Sequence, residues 1–211
     1  MSSYFLVEDH ELMRHGVIDY LSSHGNYVCT GTAADKEEFF SAMAKGNADS
    51  SPDILITDLC FGSDSNGGIK LIRECRTQFP RLKIMVYSMY DTPGVVKAAL
   101  DSGADGYVCK NSDVASLAAG LKELLQGHSY VDPSLATEVL VFEKKLAMFT
   151  KREIDTLNLI VAGKSNDEIA QSLGLQKRAV ENYISRIYNK SGMSSRGELS
   201  RYWSMQSSGH A

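Results

Sequence analysis

A doubly wound α/β domain followed by a small all-helical domain is the fold class that the sequence predicts, and three observations predict it. Short apolar, β-branched runs recur five times within the first 110 residues, each followed by a stretch of helical spacing. The last third has no such runs, and its apolar residues return only at three- and four-residue intervals. Charge divides at the same place: residues 149–211 carry 9 Lys/Arg against 6 Asp/Glu (+3), residues 1–148 carry 13 against 20 (−7). An acidic unit joined to a basic one implies that only the second meets a polyanion.

In chain order, Tyr4 to Val7 is a first strand and Leu12 to Leu21 a helix with Leu12, Val17, Tyr20 and Leu21 inward. Tyr27 to Thr32 is a second strand. Asp35 starts a helix with Glu38 three residues on, a capping-box pattern, and Phe39, Phe40 and Met43 face the core. Asp53 to Leu59, entered through Pro52, reads as the buried central strand. A Gly/Ser/Asn-rich loop from Cys60 to Gly68 leads to a helix over 69–79 that Pro80 ends. Lys83 to Ser88 is the fourth strand, and Thr92 to Ser102 a helix with Pro93 in its first turn. Gly106 to Cys109 is the fifth, and Asp113 to Gln126 a helix with Leu117, Leu121, Leu124 and Leu125 on one side. Five strands alternating with five helices make a five-stranded, flavodoxin-like parallel sheet.

Residues 1–126 form the first predicted domain, 127–148 a linker with a helix near Ser134 to Glu143, and 149–211 the second domain. Four helices are expected there. Thr150 with Glu153 and Ser165 with Glu168 carry capping-box spacing, Lys177 to Lys190 is the third helix, and Ser195 to Met205 the fourth. Gln206 to Ala211 should fray. Cys29, Cys60, Cys75 and Cys109 have no metal-type spacing, which fits reduced thiols in a cytoplasmic protein. The apolar runs are far short of the ~20 residues of a membrane span.

Ligands of an open parallel sheet bind at the carboxyl ends of its strands. Those ends carry Glu8 and Asp9, Asp58, Ser88 and Lys110. This ordered set, with Tyr107 three residues before Lys110, resembles the receiver domain of bacterial response regulators over about three fifths of the chain. The resemblance implies that Asp58 is the phosphoacceptor, that Ser88 moves to a phosphoryl oxygen, and that Tyr107 turns into the space vacated. Lys110 would compensate phosphoryl charge.

Three carboxylates in one place repel unless a cation offsets them, and an all-oxygen site that also holds phosphate favours Mg²⁺. Its ligands would be Glu8, Asp9, Asp58 and, by the resemblance, the Cys60 carbonyl. Two departures stand out: Glu8 replaces the commoner Asp, and the loop after Asp58 is longer and lacks the usual Met-Pro.

The second domain, through Thr150-Lys151-Arg152-Glu153, Gly163 to Ala170, Val180-Glu181-Asn182 and Lys190 to Met193, looks like the LuxR-type helix-turn-helix. Two short helices joined by a tight turn place the second in a major groove. Lys164, Ser165, Lys177, Arg178, Arg186 and Lys190 are then candidate phosphate contacts, and Glu181, Asn182 and Ser185 face the bases. Glu181 stands where the family usually has Lys, and Tyr183 where it has His.

The expected function is a response-regulator transcription factor of the NarL/FixJ class. A sensor histidine kinase or a small phosphodonor would phosphorylate Asp58, favouring a homodimer that binds double-stranded DNA. No membrane association and no catalysis beyond Mg²⁺-dependent self-phosphorylation are expected. One alternative is a receiver-containing adaptor whose C-terminal helices bind protein or act without phosphorylation; another is a phosphatase of the same α/β architecture.

Overall fold

The computed structural model describes residues 1–45, 51–61, 66–193 and 195–207. The chain forms two compact units, Met1–Asp91 with Val96–Ala136, and Thr137–Ala211 with Thr92–Val95. The first unit alternates β1 (Ser2–Val7), α1 (Glu11–His24), β2 (Tyr27–Ala33), α2 (Lys36–Lys45), β3 (Ile54–Thr57), α3 (Gly67–Gln78), β4 (Lys83–Ser88), α4 (Pro93–Asp101), β5 (Gly106–Cys109), α5 (Val114–Leu125) and β6 (Tyr130–Val131). Then come α6 (Pro133–Leu146), α7 (Lys151–Val161), α8 (Asn166–Leu173), α9 (Lys177–Ser191) and α10 (Arg196–Ser207).

All strands are parallel, in the order β2-β1-β3-β4-β5-β6. Every residue of β3 and β5 is buried, as helices on both faces of a parallel sheet require. One face packs Tyr4, Leu6, Ile54, Ile56, Met85 and Val108 against Val17 and Leu21 of α1 and Leu117, Leu121 and Leu124 of α5. Phe39 is fully buried on α2, with Phe5 edge-on to it at 5.1 Å, while Phe40 and Met43 are half-buried. The Asp35 cap forms as its spacing implies: Glu38 N–H donates to Asp35 Oδ1 at 2.8 Å and Ala34 N–H to Glu38 Oε2 at 2.8 Å.

Several sequence expectations need correction. The sheet has six strands, because the segment expected to be linker contains β6, paired to β5 through Gly106–Tyr130 and Tyr107–Val131; the helix expected there near Ser134 to Glu143 forms as α6. A two-residue strand has no alternation to betray it; only the edge of β5 makes it one. Leu12 is 88 % exposed and Leu125 40 %, so both lie off the inner faces assigned to them. Gln206 and Ser207 extend α10 instead of fraying; residues 208–211 lie outside the described residues, as do residues 62–65 of the loop after Asp58.

The second unit packs Leu157, Ile160, Ile169, Val180, Ile184, Ile187, Leu199 and Trp203 into its own core. Both capping boxes, Thr150/Glu153 and Ser165/Glu168, close in both directions. Gly174 ends α8 in the left-handed region at φ 65°, the tight turn that α9 needs after it.

Candidate functional site

β1, β3, β4 and β5 end side by side in the middle of the sheet, and there Glu8, Thr57, Asp58 and Ser88 stand out as buried polar residues in an otherwise apolar core. Asp58 is only 8 % exposed and Glu8 2 %. Ser88 Oγ donates to Asp58 Oδ1 at 2.5 Å, and so does the main-chain N–H of Leu59, at 2.5 Å. Lys110 Nζ lies between two acids, 2.5 Å from Asp58 Oδ2 and 2.6 Å from Glu8 Oε2. Its side chain is 3 % exposed. Burial by itself pushes the Lys110 ammonium down, but the Asp58 and Glu8 carboxylates outweigh burial and hold it above the usual lysine range.

The acid pair is set by α1, whose Arg14 guanidinium donates to the Glu8 carbonyl at 2.5 Å and the Asp9 carbonyl at 3.3 Å. His10, missed by the sequence reading although it directly follows the pair, completes a cluster. His10 Nδ1 is 2.8 Å from Asp9 Oδ1 and 3.4 Å from Glu8 Oε1. Glu8, Asp9 and His10 are the set whose ligand atoms converge, within 4.8 Å, among the described residues. Asp58 does not join them, because Lys110 stands between it and Glu8.

The donor chemistry nevertheless fits a hard divalent cation. Glu8 and Asp9 turn carboxylate oxygens to one place, and Asp58 Oδ2, bonded by Lys110, has lone-pair capacity to spare, whereas Oδ1 is filled by Ser88 and the Leu59 N–H.

Ser88 and Tyr107 are not where the expected switch would start them. The Ser88 hydroxyl already bonds the Asp58 carboxylate, and Tyr107 is fully buried with its hydroxyl donating to the Tyr90 carbonyl at 2.6 Å. Burial pushes the Tyr107 phenol far above its ordinary value, so it stays a donor throughout the neutral range. Tyr90 also went unnoticed in the sequence. Its hydroxyl is 3.0 Å from Cys60 Sγ, a contact that, with burial after it, pushes the phenol up to about 12. Gly68, at the start of α3, lies so close that an added Cβ would fall 2.3 Å from the Asp58 carbonyl oxygen.

In the second unit α9 exposes Lys177, Arg178, Glu181, Asn182, Ser185, Arg186 and Asn189 along one stripe, the last of these missed in the sequence. Three of the candidate lysines hold acids of their own domain. Lys177 pairs with Asp167 at 2.9 Å, Lys164 with Glu168 at 3.3 Å, and Lys190 with the buried Glu153 at 2.6 Å. The Ser165 N–H and hydroxyl, then Lys164, hold Glu168 down at about 2. Arg186 lies over the Tyr183 ring at 5.9 Å. Lys190 therefore serves the fold, and the exposed cations of the stripe are Lys177, Arg178 and Arg186.

Residues 4–122 match the response regulator receiver domain model, more than half the chain. The chain belongs to the response regulator receiver family. Residues 147–203 match the model for bacterial regulatory proteins of the luxR family. This response regulator is 29 % identical over 188 residues to the response regulator protein VraR of Staphylococcus aureus, covering 87 % of each. Among solved structures, RcsB of Salmonella typhimurium superposes with a TM-score of 0.72 at 25 % identity, covering 97 % of this chain and all of that one. A second, of two RcsB dimers bound to two parallel DNAs, gives 0.70 at 24 % identity, over 97 % of this chain and 98 % of that one. A LuxR-family two-component response regulator from Aurantimonas sp. gives 0.62 at 27 % identity, over 68 % of this chain and 98 % of that one. The molecule is thus a response regulator, a receiver domain followed by a LuxR-type helix-turn-helix domain. Among the described residues no helix is long and apolar enough to cross a membrane.

Proposed function

We propose that Asp58 accepts a phosphoryl group from the phosphohistidine of a sensor kinase or from a small acyl phosphate, and that this controls DNA binding by the second domain in the cytoplasm. A carboxylate oxygen of Asp58 attacks phosphorus, the P–N or P–O bond of the donor breaks, and the leaving imidazole or carboxylate carries away the electron pair. The observation that carries this reading is the clamp on Asp58 by Ser88, Leu59 N–H and Lys110. These are the cation and donors that a transferring phosphoryl group needs around it.

Glu8, Asp9, Asp58 and the Cys60 carbonyl are the residues that would hold Mg²⁺. When bound, the ion supplies positive charge toward phosphoryl oxygens. Lys110 keeps Glu8 and Asp58 from repelling one another, and Ser88 holds the Asp58 carboxylate in one orientation.

For the output, the α9 stripe of Arg178, Asn182 and Arg186 suits phosphates and base edges better than a protein partner, which favours DNA over the adaptor reading. RcsB, bound to DNA as dimers in a solved structure, supports the same use here, with two copies on adjacent half-sites. The test is labelling by radioactive acetyl phosphate with Mg²⁺, alongside retention on DNA fragments. Wild type should take up label and gain DNA retention, and Asp58→Asn should do neither; equal labelling of the variant would sink the assignment.

A further inference from the structure

Within the second unit, the end of α6, the last turn of α9 and α10 leave between them a cavity of about 330 Å³. That lies in the range of about 300–1,000 Å³ typical of small-molecule sites, which are mostly apolar with a few placed polar groups. Its walls fit that description. Phe149 stands edge-on to Trp203, ring centres 5.7 Å apart, and Leu199 and Met193 continue the apolar surface. Among the described residues that line it, the charged ones are Lys145 and Lys190, and there is no acid. Lys190 Nζ lies over the Phe149 ring at 5.9 Å, half-buried, and donates to Glu153 at 2.6 Å. An ammonium carries three donors and Glu153 takes one, so Lys190 can serve a second oxygen on the cavity side.

We propose that this cavity binds a small aromatic carboxylate, with its ring against Phe149 and Trp203 and its carboxylate on Lys190 and Lys145. The charge decides the class. A cationic ligand would face two lysines, and an uncharged apolar one would offer their donors no acceptor. A carboxylate gives both an oxygen, and charge-assisted hydrogen bonds of this kind are about twice as strong as neutral ones. The aromatic walls favour a ring, since offset and edge-on ring pairs add to the gain from burial alone. Every lining residue belongs to the second unit, so the inference does not depend on phosphorylation of Asp58.

The molecule carries its own reporter, because Trp203 is the single tryptophan of the chain and lines the cavity. The full chain is titrated with phenylpropionate and, separately, with its uncharged amide, phenylpropanamide, while Trp203 fluorescence is read. The acid should give a saturable change and bind roughly tenfold more tightly than the amide, the difference expected for hydrogen bonds to charged groups. Lys145→Gln should narrow that acid-over-amide preference by about threefold, the scale of one partly exposed charge pair. A merely structural role of Lys145 would move both ligands alike. Ser191→Leu, which puts a larger side chain into the cavity from the end of α9, should abolish the response of Trp203 to either ligand while the melting temperature stays near that of wild type. No saturable change in wild type, equal affinity for acid and amide, or an undiminished preference in Lys145→Gln overturns the proposal. So does a folded Ser191→Leu variant that binds as wild type does. A Trp203 signal that follows protein concentration and ignores added acid would give the cavity to a second copy of the chain, and the proposal would fall.

Discussion

Tyr107 donates its hydroxyl to the main-chain carbonyl of Tyr90 across a gap of 2.6 Å, from a side chain with no exposed surface. Losing the donor to this partly buried carbonyl costs about 1 kcal/mol. Tyr107→Phe keeps the packed ring and removes only that donor. Its receiver domain should therefore unfold a few degrees lower, and amide exchange at Tyr90 to Thr92 should quicken. Calorimetry and hydrogen exchange check both, and unchanged exchange there would mean that the bond does not hold the β4–α4 connection.

Lys110→Ala leaves Glu8 and Asp58 buried without their shared cation. The receiver should lose about 3 kcal/mol, the range for breaking a buried ion pair. Millimolar Mg²⁺ should restore more stability to this variant than it adds to wild type, since the ion would replace the missing charge. Denaturant melts with and without Mg²⁺ decide it; equal gains in the two proteins would argue against Glu8 and Asp58 sharing one cation.

The output domain should be acid-sensitive through Glu153. Burial alone would raise this carboxyl, but Lys190, then the Thr150 N–H and hydroxyl, hold it below its ordinary 4.5. A depressed carboxylate contributes stability that is present above the unfolded-state value and lost as pH falls through the folded one. The domain should therefore keep this contribution down to about pH 4.5 and lose it below. Glu153→Gln should remove that acid limb and cost about 2 kcal/mol at neutral pH, less than a fully buried pair because the Lys190 side chain is 34 % exposed. A melt of Glu153→Gln that keeps the wild-type pH profile would contradict this.

Glu181→Lys should raise affinity for random DNA and steepen its salt dependence by about one phosphate contact, while discrimination for the native operator falls. The present charge at this place opposes phosphate, and Lys177, Lys164 and Lys190 are occupied within the domain. Salt titrations of DNA retention measure the slope. Failure of both proteins to retain DNA at ~50 mM salt, where nonspecific contacts are strongest, would return the output helices to a protein-binding role.

What could be read from sequence was whatever is local or repeated. The caps at Asp35, Thr150 and Ser165 are three-residue signals, and each forms its hydrogen bonds. The strand ends followed from apolar runs, so Asp58, Ser88, Lys110 and Glu8 meet as expected. Contacts between distant side chains were not legible. Cys60 and Tyr90 are thirty residues apart and neither is a polar-site residue by type. The lysines of the second domain looked like phosphate ligands because sequence shows charge but not the acid beside it. β6 exists only because β5 leaves an edge for Tyr130 and Val131.

Gly68 gives the long loop after Asp58 its meaning. Its N–H bonds the Leu59 carbonyl at 2.9 Å, and no side chain fits between it and the main chain of Asp58 and Leu59. That one bond between Gly68 and Leu59 closes a ring of chain right after the acceptor. Closing such a ring costs only about 0.6 kcal/mol more for each doubling of its length. Length is consequently a quantity the acceptor hardly registers in closure entropy, whereas a side chain at Gly68 would collide with the main chain of Asp58 and Leu59.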